Sequence, residues 1–394
     1  MTDKRNFFAD PYDFSLALGG PLFQLFLRAR LSGPALELLI RRIIVFTAIT
    51  WLPLVLLTAL SGDLVNGVQL PFLSALAIHS RLLVALPLLI GAELFVHEWS
   101  RDLVRQFLDR DLVAPEDRPR FDDIVASALR LRNSVAAELV LVVLAVAGHW
   151  AAESLALNVP AWYGARINSR WQFTPAAYWT ILVSLPLFRF FMLRWYFRIF
   201  IWYRFLWQMA RLPLRLNTLH PDRAGGLGFL AESVFAFAPV LLAHTVLLSG
   251  EIGNRIWHEG AKLASFQLEI VATILLLSFI VLLPLTFFSS QLIYAKRAAI
   301  REYGSVASGY VREFRAKWIA GQNPEGERLL GTADIQSLAD LGNSFEVVRQ
   351  TGVVPFGKAE VLVLAAVLAA PLLLLLPMVL PLREIVDRIL AMVL

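Results

Sequence analysis

Arginines and aromatic rings are packed most densely between Arg189 and Leu230, a run ending in His220-Pro221-Asp222-Arg223-Ala224-Gly225-Gly226-Leu227. Arg194 and Arg198 are four residues apart, as are Arg211 and Arg215, so each pair falls on one face of a helix. Two readings fit. In the first, guanidiniums reach lipid phosphates while Trp195, Tyr196, Trp202 and Trp207 sit at headgroup level, which gives an interfacial helix on anionic lipid. In the second, Arg189, Arg194, Arg198, Arg211, Arg215 and Arg223 form a basic vestibule that concentrates anions at a pore or pocket. Nucleic acid is not expected as a partner, because the bilayer would occupy the rings. In the turn, Pro221 fixes one backbone angle, Asp222 can cap the next helix, and Gly225 and Gly226 permit positive φ. The plain reading of His220, Asp222, Gly225 and Gly226 is a structural reversal at the membrane surface. The helix start beside Arg223 also offers an anion site. A catalytic His220/Asp222 pair has no further identifiable partners.

Two other groups carry titratable side chains. His79, His149 and His244, with Glu153 and Glu251, fall toward one side of the membrane in the topology below and could bind a divalent ion or relay protons. Their spacing matches no recognised ligand motif, and interfacial histidines at helix ends are the simpler reading. In the second apolar run, the stretch from Leu82 to Val96 is too short to cross alone. Arg81, or Glu93 with His97, must therefore enter the membrane region, where a charge costs roughly 2.5–3.5 kcal/mol and faces the protein interior or water unless it snorkels from a span end. There is no cysteine, which excludes thiolate metal sites, disulfides and cysteine nucleophiles. No nucleotide-binding loop, zinc-protease helix or serine-hydrolase elbow is present, and no cofactor is specified.

The elements that must position these groups are membrane spans. Of the residues 58% are hydrophobic and 17% charged, and the mean hydropathy is +0.63. Several apolar runs exceed the roughly 18 residues of a bilayer crossing. The expected fold is all-α: a polytopic helical bundle of six to seven spans with a small cytoplasmic helical hairpin. Residues 1–42 read as a cytoplasmic, surface-lying amphipathic segment broken at Gly19, Gly20 and Pro21. Residues 43–290 hold six spans, near 43–60, 72–99, 134–155, 176–193, 229–248 and 268–285. Trp162 is expected as an interfacial anchor. Residues 291–358 carry two helical stripes (Val306, Tyr310, Phe314, Trp318; then Ile335, Leu338, Leu341, Phe345, Val348) around a Gly/Pro loop, a hairpin that could dock a soluble partner. Residues 359–394 form a seventh span, or a hairpin broken at Pro371 or Pro377, and an amphipathic tail. Pro53, Pro87, Pro186, Pro239 and Pro284 fall inside five spans and can kink them. Lys and Arg concentrate in alternate links, which places the N-terminus in the cytoplasm. The net charge is +5.

The segment from Asp334 to Phe356, DIQSLADLGNSFEVVRQTGVVPF, together with HPDRAGGL, resembles a group of bacterial multi-pass inner-membrane proteins. That resemblance implies a bacterial inner membrane and brings no activity and no catalytic residue with it. Kinked spans, charges at membrane depth and a basic cytoplasmic mouth are together expected of a channel or transporter subunit, homo-oligomeric, for an anionic or proton-coupled substrate. The rivals are a membrane enzyme acting on lipid or a lipid-linked phosphate, and a non-conducting scaffold.

Overall fold

A computed structural model describes residues 14–21, 24, 38–148, 161–167, 170–322, 328, 329 and 331–379. The expected tail helix beyond residue 380, His149 and Glu153 lie outside them, as does most of the far half of the third span.

The described residues are all-α apart from one small hairpin of strands. Helix α1 runs Leu39–Ser61 and ends on Gly62 at φ 83°, where the absent side chain lets the chain turn left-handed. Helix α2 spans Leu76–Asp109. Helix α3, Arg118–Arg132, is amphipathic, and α4, Val135–Ala147, is apolar and starts under a Ser134 cap. Strands β1, Gly164–Ile167, and β2, Arg170–Phe173, pair antiparallel. Helix α5 is Pro175–Met209. Helices α6, Phe229–Ala236, and α7, Ala238–Glu259, meet at a 42° bend. Helix α8 is one continuous run, Leu263–Ile319, followed by α9, Ala333–Gln350, and α10, Lys358–Leu373.

Among the described residues five helices are long and apolar enough to cross a membrane, or six if α6 and α7 form one bent span. Their exteriors match that reading. Ile40, Ile44, Leu52, Leu56 and Leu60 make an exposed apolar stripe on α1, and Leu139, Val143 and Val146 do so on α4. Water would not tolerate apolar faces of this extent, but acyl chains would cover them. The last apolar run holds Pro371 within its helix, and Ser249 on α7 donates to the Pro371 carbonyl at 2.9 Å.

The prolines act where the sequence places them. A proline cannot donate to the residue four back, so the turn before it must rearrange. Wide π-type turns at Ser80–Ala85 and Thr180–Ser184 lie just upstream of Pro87 and Pro186. Pro239 sits at the α6–α7 bend, and Pro284 starts a tight 3-10 segment, Leu283–Phe288, inside α8. Pro53 lies inside α1 without breaking it.

Two placements correct the expectation from hydropathy. Trp162 is buried, packed against Phe72 at 5.1 Å, rather than set at the interface. Residues 14–20 do not lie on a surface: Phe14, Leu16 and Ala17 are at most 1% exposed. The main core centres on Phe107, whose ring meets Phe205, Phe229 and Phe288, and so joins α2, α5, α6 and α8. Beyond the bundle, α8 and α9 pack as the expected hairpin. The Tyr310 hydroxyl donates to the Asp334 carbonyl, and Lys317 and Trp318 bind the Asp334 carboxylate. Val306 and Ile335, expected inside the hairpin, are exposed.

Candidate functional site: a buried glutamate among arginines

Glu93 is buried, 2% exposed, on the face of α2 that packs against α1 and α5. Its Oε2 accepts from Arg42 Nη1 at 2.6 Å. Its Oε1 accepts from Arg194 Nη1 at 2.7 Å and from Arg198 Nη2 at 2.9 Å. Arg42 comes from the first turn of α1, and the other two from successive turns of one face of α5. These are charge-assisted bonds at the short end of the usual range. The spacing of four residues seen in the sequence is what lets Arg194 and Arg198 grip one oxygen.

Around this knot lie two further charges and a strap. Arg194 Nε approaches Glu138 Oε1, in the first turn of α4, at 3.7 Å. Arg132, at the end of α3, donates to the Ser15 carbonyl, and Arg198 donates to the Ala17 carbonyl at 3.2 Å. Burial, and then the neighbouring Arg194, hold the Arg132 pKa down at about 10, so it stays charged at neutral pH. The strap is tied by Ser15, whose hydroxyl accepts the amides of Ala17 and Leu18 and meets His97 Nδ1 at 2.8 Å. Gly19 and Gly20 have φ of 132° and 89°. A side chain at Gly19 would overlap the Arg132 guanidinium, and one at Gly20 would crowd Glu138.

Counting along the helices places the knot at one end of the bundle. Glu93 lies about 26 Å along α2 from Leu76, and Arg194 about 29 Å along α5 from Pro175, at 1.5 Å per residue. Each is close to one hydrocarbon thickness. Arg42 and Glu138 begin their helices at that same end.

The other candidates are placed differently. Arg194 and Arg198 point inward and do not line an open vestibule, and Trp195, Trp202 and Phe205 on the same helix are core. The stretch expected at headgroup level is therefore largely interior, although Tyr196, Phe200 and Trp207 remain exposed. Arg211 lies 3.4 Å from the centre of the Trp207 ring, and Arg215 pairs with Glu116. Arg189 is half-buried against Gly148. Arg81, at the far end of the bundle, pairs with Glu251 at 3.1 Å, both partly exposed.

Among the described residues no three His, Asp or Glu side chains gather around a point, so His79, His244 and Glu251 do not form a metal site with one another. His79 accepts the Trp51 indole N–H on Nδ1 at 3.1 Å, so its Nε2 carries the proton and donates to the Phe72 carbonyl at 2.9 Å. His244 Nδ1 lies 2.7 Å from the Val240 carbonyl, which fixes the proton there and leaves Nε2 to accept from the Tyr196 hydroxyl at 2.7 Å. Both rings have both nitrogens engaged.

The HPDRAGGL turn is built around Asp222. Its Oδ1 accepts the amides of Ala224 and Gly226 at 2.8 and 3.1 Å, and its Oδ2 accepts that of Gly228 at 2.8 Å. Burial pushes its pKa up, and these three amides together with His220 outweigh it, so the net value is lowered. His220 Nδ1 is 2.9 Å from Oδ1. Arg223 has φ 53°, and Gly225 and Gly226 have φ of 66° and 95°. The Arg223 carbonyl accepts from the Gly352 amide at 2.6 Å, and Thr351 donates to the Thr218 carbonyl at 3.1 Å. The two segments that carry the resemblance thus touch in space.

Comparison of the chain with protein-family models, with curated proteins and with solved structures finds no match. The class is set by the fold alone: a multi-pass α-helical membrane protein.

Proposed function

We propose that this protein is the membrane subunit of an anion channel or transporter in a bacterial inner membrane, acting as an oligomer with its N-terminus in the cytoplasm. The observation that carries the reading is the buried Glu93 held by Arg42, Arg194 and Arg198 at one end of the spans. A carboxylate and three guanidiniums desolvated at membrane depth are costly. Replacing such a cluster by hydrophobic side chains of similar volume is often neutral or stabilising, so stability alone is a weak reason for the arrangement. Guanidiniums in excess favour an anion near them and repel cations. In this reading the knot is the cytoplasmic constriction, and Arg81 with Glu251 flanks the opposite mouth.

The lipid-enzyme reading is less favoured, because the Asp222 carboxylate is taken up by three backbone amides and has little capacity left as a base. The test is flux. The full chain is reconstituted in liposomes loaded with a halide-sensitive dye, which reads electroneutral exchange as well as current, and is challenged with a panel of anions and cations and with pH steps. Anion-selective flux whose selectivity changes in Glu93→Gln is expected. Absence of flux from folded wild-type protein under all these conditions, or flux of cations alone, sinks the reading.

A further inference from the structure

Beside the knot is a cavity lined by Gly19, Arg132, Glu138, Arg194, Phe197 and Arg198, with about 10 Å³ open to the centre of a water-sized body. That is about the room one water needs, so the space admits at most one monatomic ion, with a small give in its walls. Three of its walls are guanidiniums, which only donate hydrogen bonds. One wall is a carboxylate, Glu138, which already faces Arg194. The second carboxylate, Glu93, lies behind Arg194 and Arg198 and is shared with Arg42. Arg198 is 3% exposed, and its Nη1 has no hydrogen-bond acceptor among the described residues. Its Nη2 takes both Glu93 and the Ala17 carbonyl, and its guanidinium stacks 4.6 Å from the Trp195 ring centre. A buried, charged donor without an acceptor is expensive, and natural proteins rarely leave one so.

We propose that this cavity is a binding site for one small monovalent anion of chloride size, with Arg198 Nη1 as its principal donor and Arg132 and Arg194 as flanking charges. Charge sets the sign: three guanidiniums face one carboxylate at the cavity wall. Size and wall chemistry set the class. The space admits at most a single monatomic ion, and the apolar groups of Leu141, Phe197 and Ile201 offer nothing to a strongly hydrated divalent anion. The strap sets access. The carbonyls of Ser15 and Ala17 already occupy donors of Arg132 and Arg198, so the strap closes one side of the site and supplies part of the negative potential an ion would otherwise provide. The proposal rests on the anion-transport reading for its purpose, but its test does not depend on transport.

The test is anion-dependent melting of the full chain in detergent, in sodium gluconate at constant ionic strength, with chloride, bromide, nitrate or sulfate exchanged in. A ligand that binds only the folded state raises the melting temperature saturably with its concentration. The expected result is a saturable rise with chloride and bromide and none with sulfate. Arg198→Lys keeps the charge but loses the forked donor, and should weaken the apparent affinity about tenfold or more. Glu93→Gln removes the internal competitor and should tighten it about tenfold. Arg301→Gln, on the exposed face of α8, should leave it as in wild type. If Arg198→Lys fails to fold, a bromide-soaked crystal of the wild-type protein decides: an anomalous peak between Arg132 and Arg198 supports the site, and its absence overturns it. A rise that never saturates, or one equal in Arg198→Lys, also overturns it and leaves water as the occupant. Binding without flux keeps the site and removes the transport reading. Flux without binding keeps transport and removes this site.

Discussion

Replacing Glu93 by glutamine tests whether the knot holds the spans together, because the change preserves shape and removes only charge and acceptor capacity. In the wild type, Glu93 receives three charge-assisted bonds at 2.6, 2.7 and 2.9 Å. A glutamine can keep its oxygen toward Arg194 and Arg198, but its amide nitrogen, a donor, must then face Arg42, which only donates. Breaking a buried ion pair from one side costs about 3–5 kcal/mol. At about 2 °C per kcal/mol for a chain of this length, the melting temperature should fall by about 6–10 °C in a buffer free of small anions. The sharper measurement is a double-mutant cycle with Arg42→Gln, read as unfolding free energy by titrating SDS into mixed micelles. Alone, Arg42→Gln should cost about 1.5–3 kcal/mol. On top of Glu93→Gln it should cost almost nothing, because it removes the donor–donor conflict, so the coupling should be about 1.5–3 kcal/mol. Additivity within about 0.5 kcal/mol would mean that these side chains do not act on one another, and the argument from the knot to function would fall with it.

Three further outcomes follow from named contacts. Asp222→Asn should destabilise by about 1–3 kcal/mol at neutral pH, since its amide nitrogen would confront a backbone N–H. Because the Asp222 pKa is lowered from its ordinary 3.8, its contribution is complete above that value and disappears as pH falls through the carboxylate range. The stability gap between wild type and variant should therefore close on acidification, and a gap that is constant from pH 7 to 3 contradicts this. Gly250→Val should weaken the α2–α7 crossing, because a Cβ there collides with the Ser80 side chain. Ser80→Gly should recover part of the lost melting temperature, and no recovery argues against that contact. Arg81→Ala should cost no more than about 1 kcal/mol, and less at high salt, because its pair with Glu251 is 26% and 48% exposed. A salt-independent loss above about 2 kcal/mol would show a desolvated pair instead.

What the sequence made legible follows from the physics of each feature. Spans were legible because crossing a bilayer demands length and apolarity, both local properties. The proline turns were legible because the missing N–H acts within one turn of its own position. Glu93 with His97 was legible only as one of two candidates for an interior charge, Arg81 being the other, because the apolar run between them is too short to cross alone. The partners of Glu93 were not legible. They lie 51, 101 and 105 residues away, and hydropathy does not distinguish a face packed on protein from one packed on lipid, both being apolar. That ambiguity turned the arginine-aromatic stretch outward in the sequence reading, whereas α5 buries Trp195, Trp202 and Phe205. A usable signal was present: two arginines four apart at the far end of one span match the single carboxylate placed equally far along another. The strap had no such signal, because Gly19 and Gly20 look like a break until Arg132 and Glu138 are seen against them.

The contact between the two resemblance-bearing segments gives the hairpin a mechanical role that neither segment suggests alone. Gly352 and Thr351, just past α9, bond to Arg223 and Thr218 in the link that follows α5. Lys296 on α8 donates to the Thr351 carbonyl, which fastens the same joint from the other arm of the hairpin. One turn earlier, Gln291 donates to the carbonyls of Ala210 and Leu212 at the end of α5, which the helix itself cannot satisfy. Helix α5 continues unbroken from there to Arg198 and Arg194, about 18 Å away for Arg198. A packed helix moves as a rod more readily than it bends. Any displacement of the hairpin that pulls on residues 351–352 would therefore reach the knot as a shift of α5 along or about its axis, and would change all its α5-borne guanidinium distances together rather than one at a time. The paired bonds from Arg194 and Arg198 to one Glu93 oxygen make the knot sensitive to that kind of shift, since a slide that lengthens one of them must disturb the other.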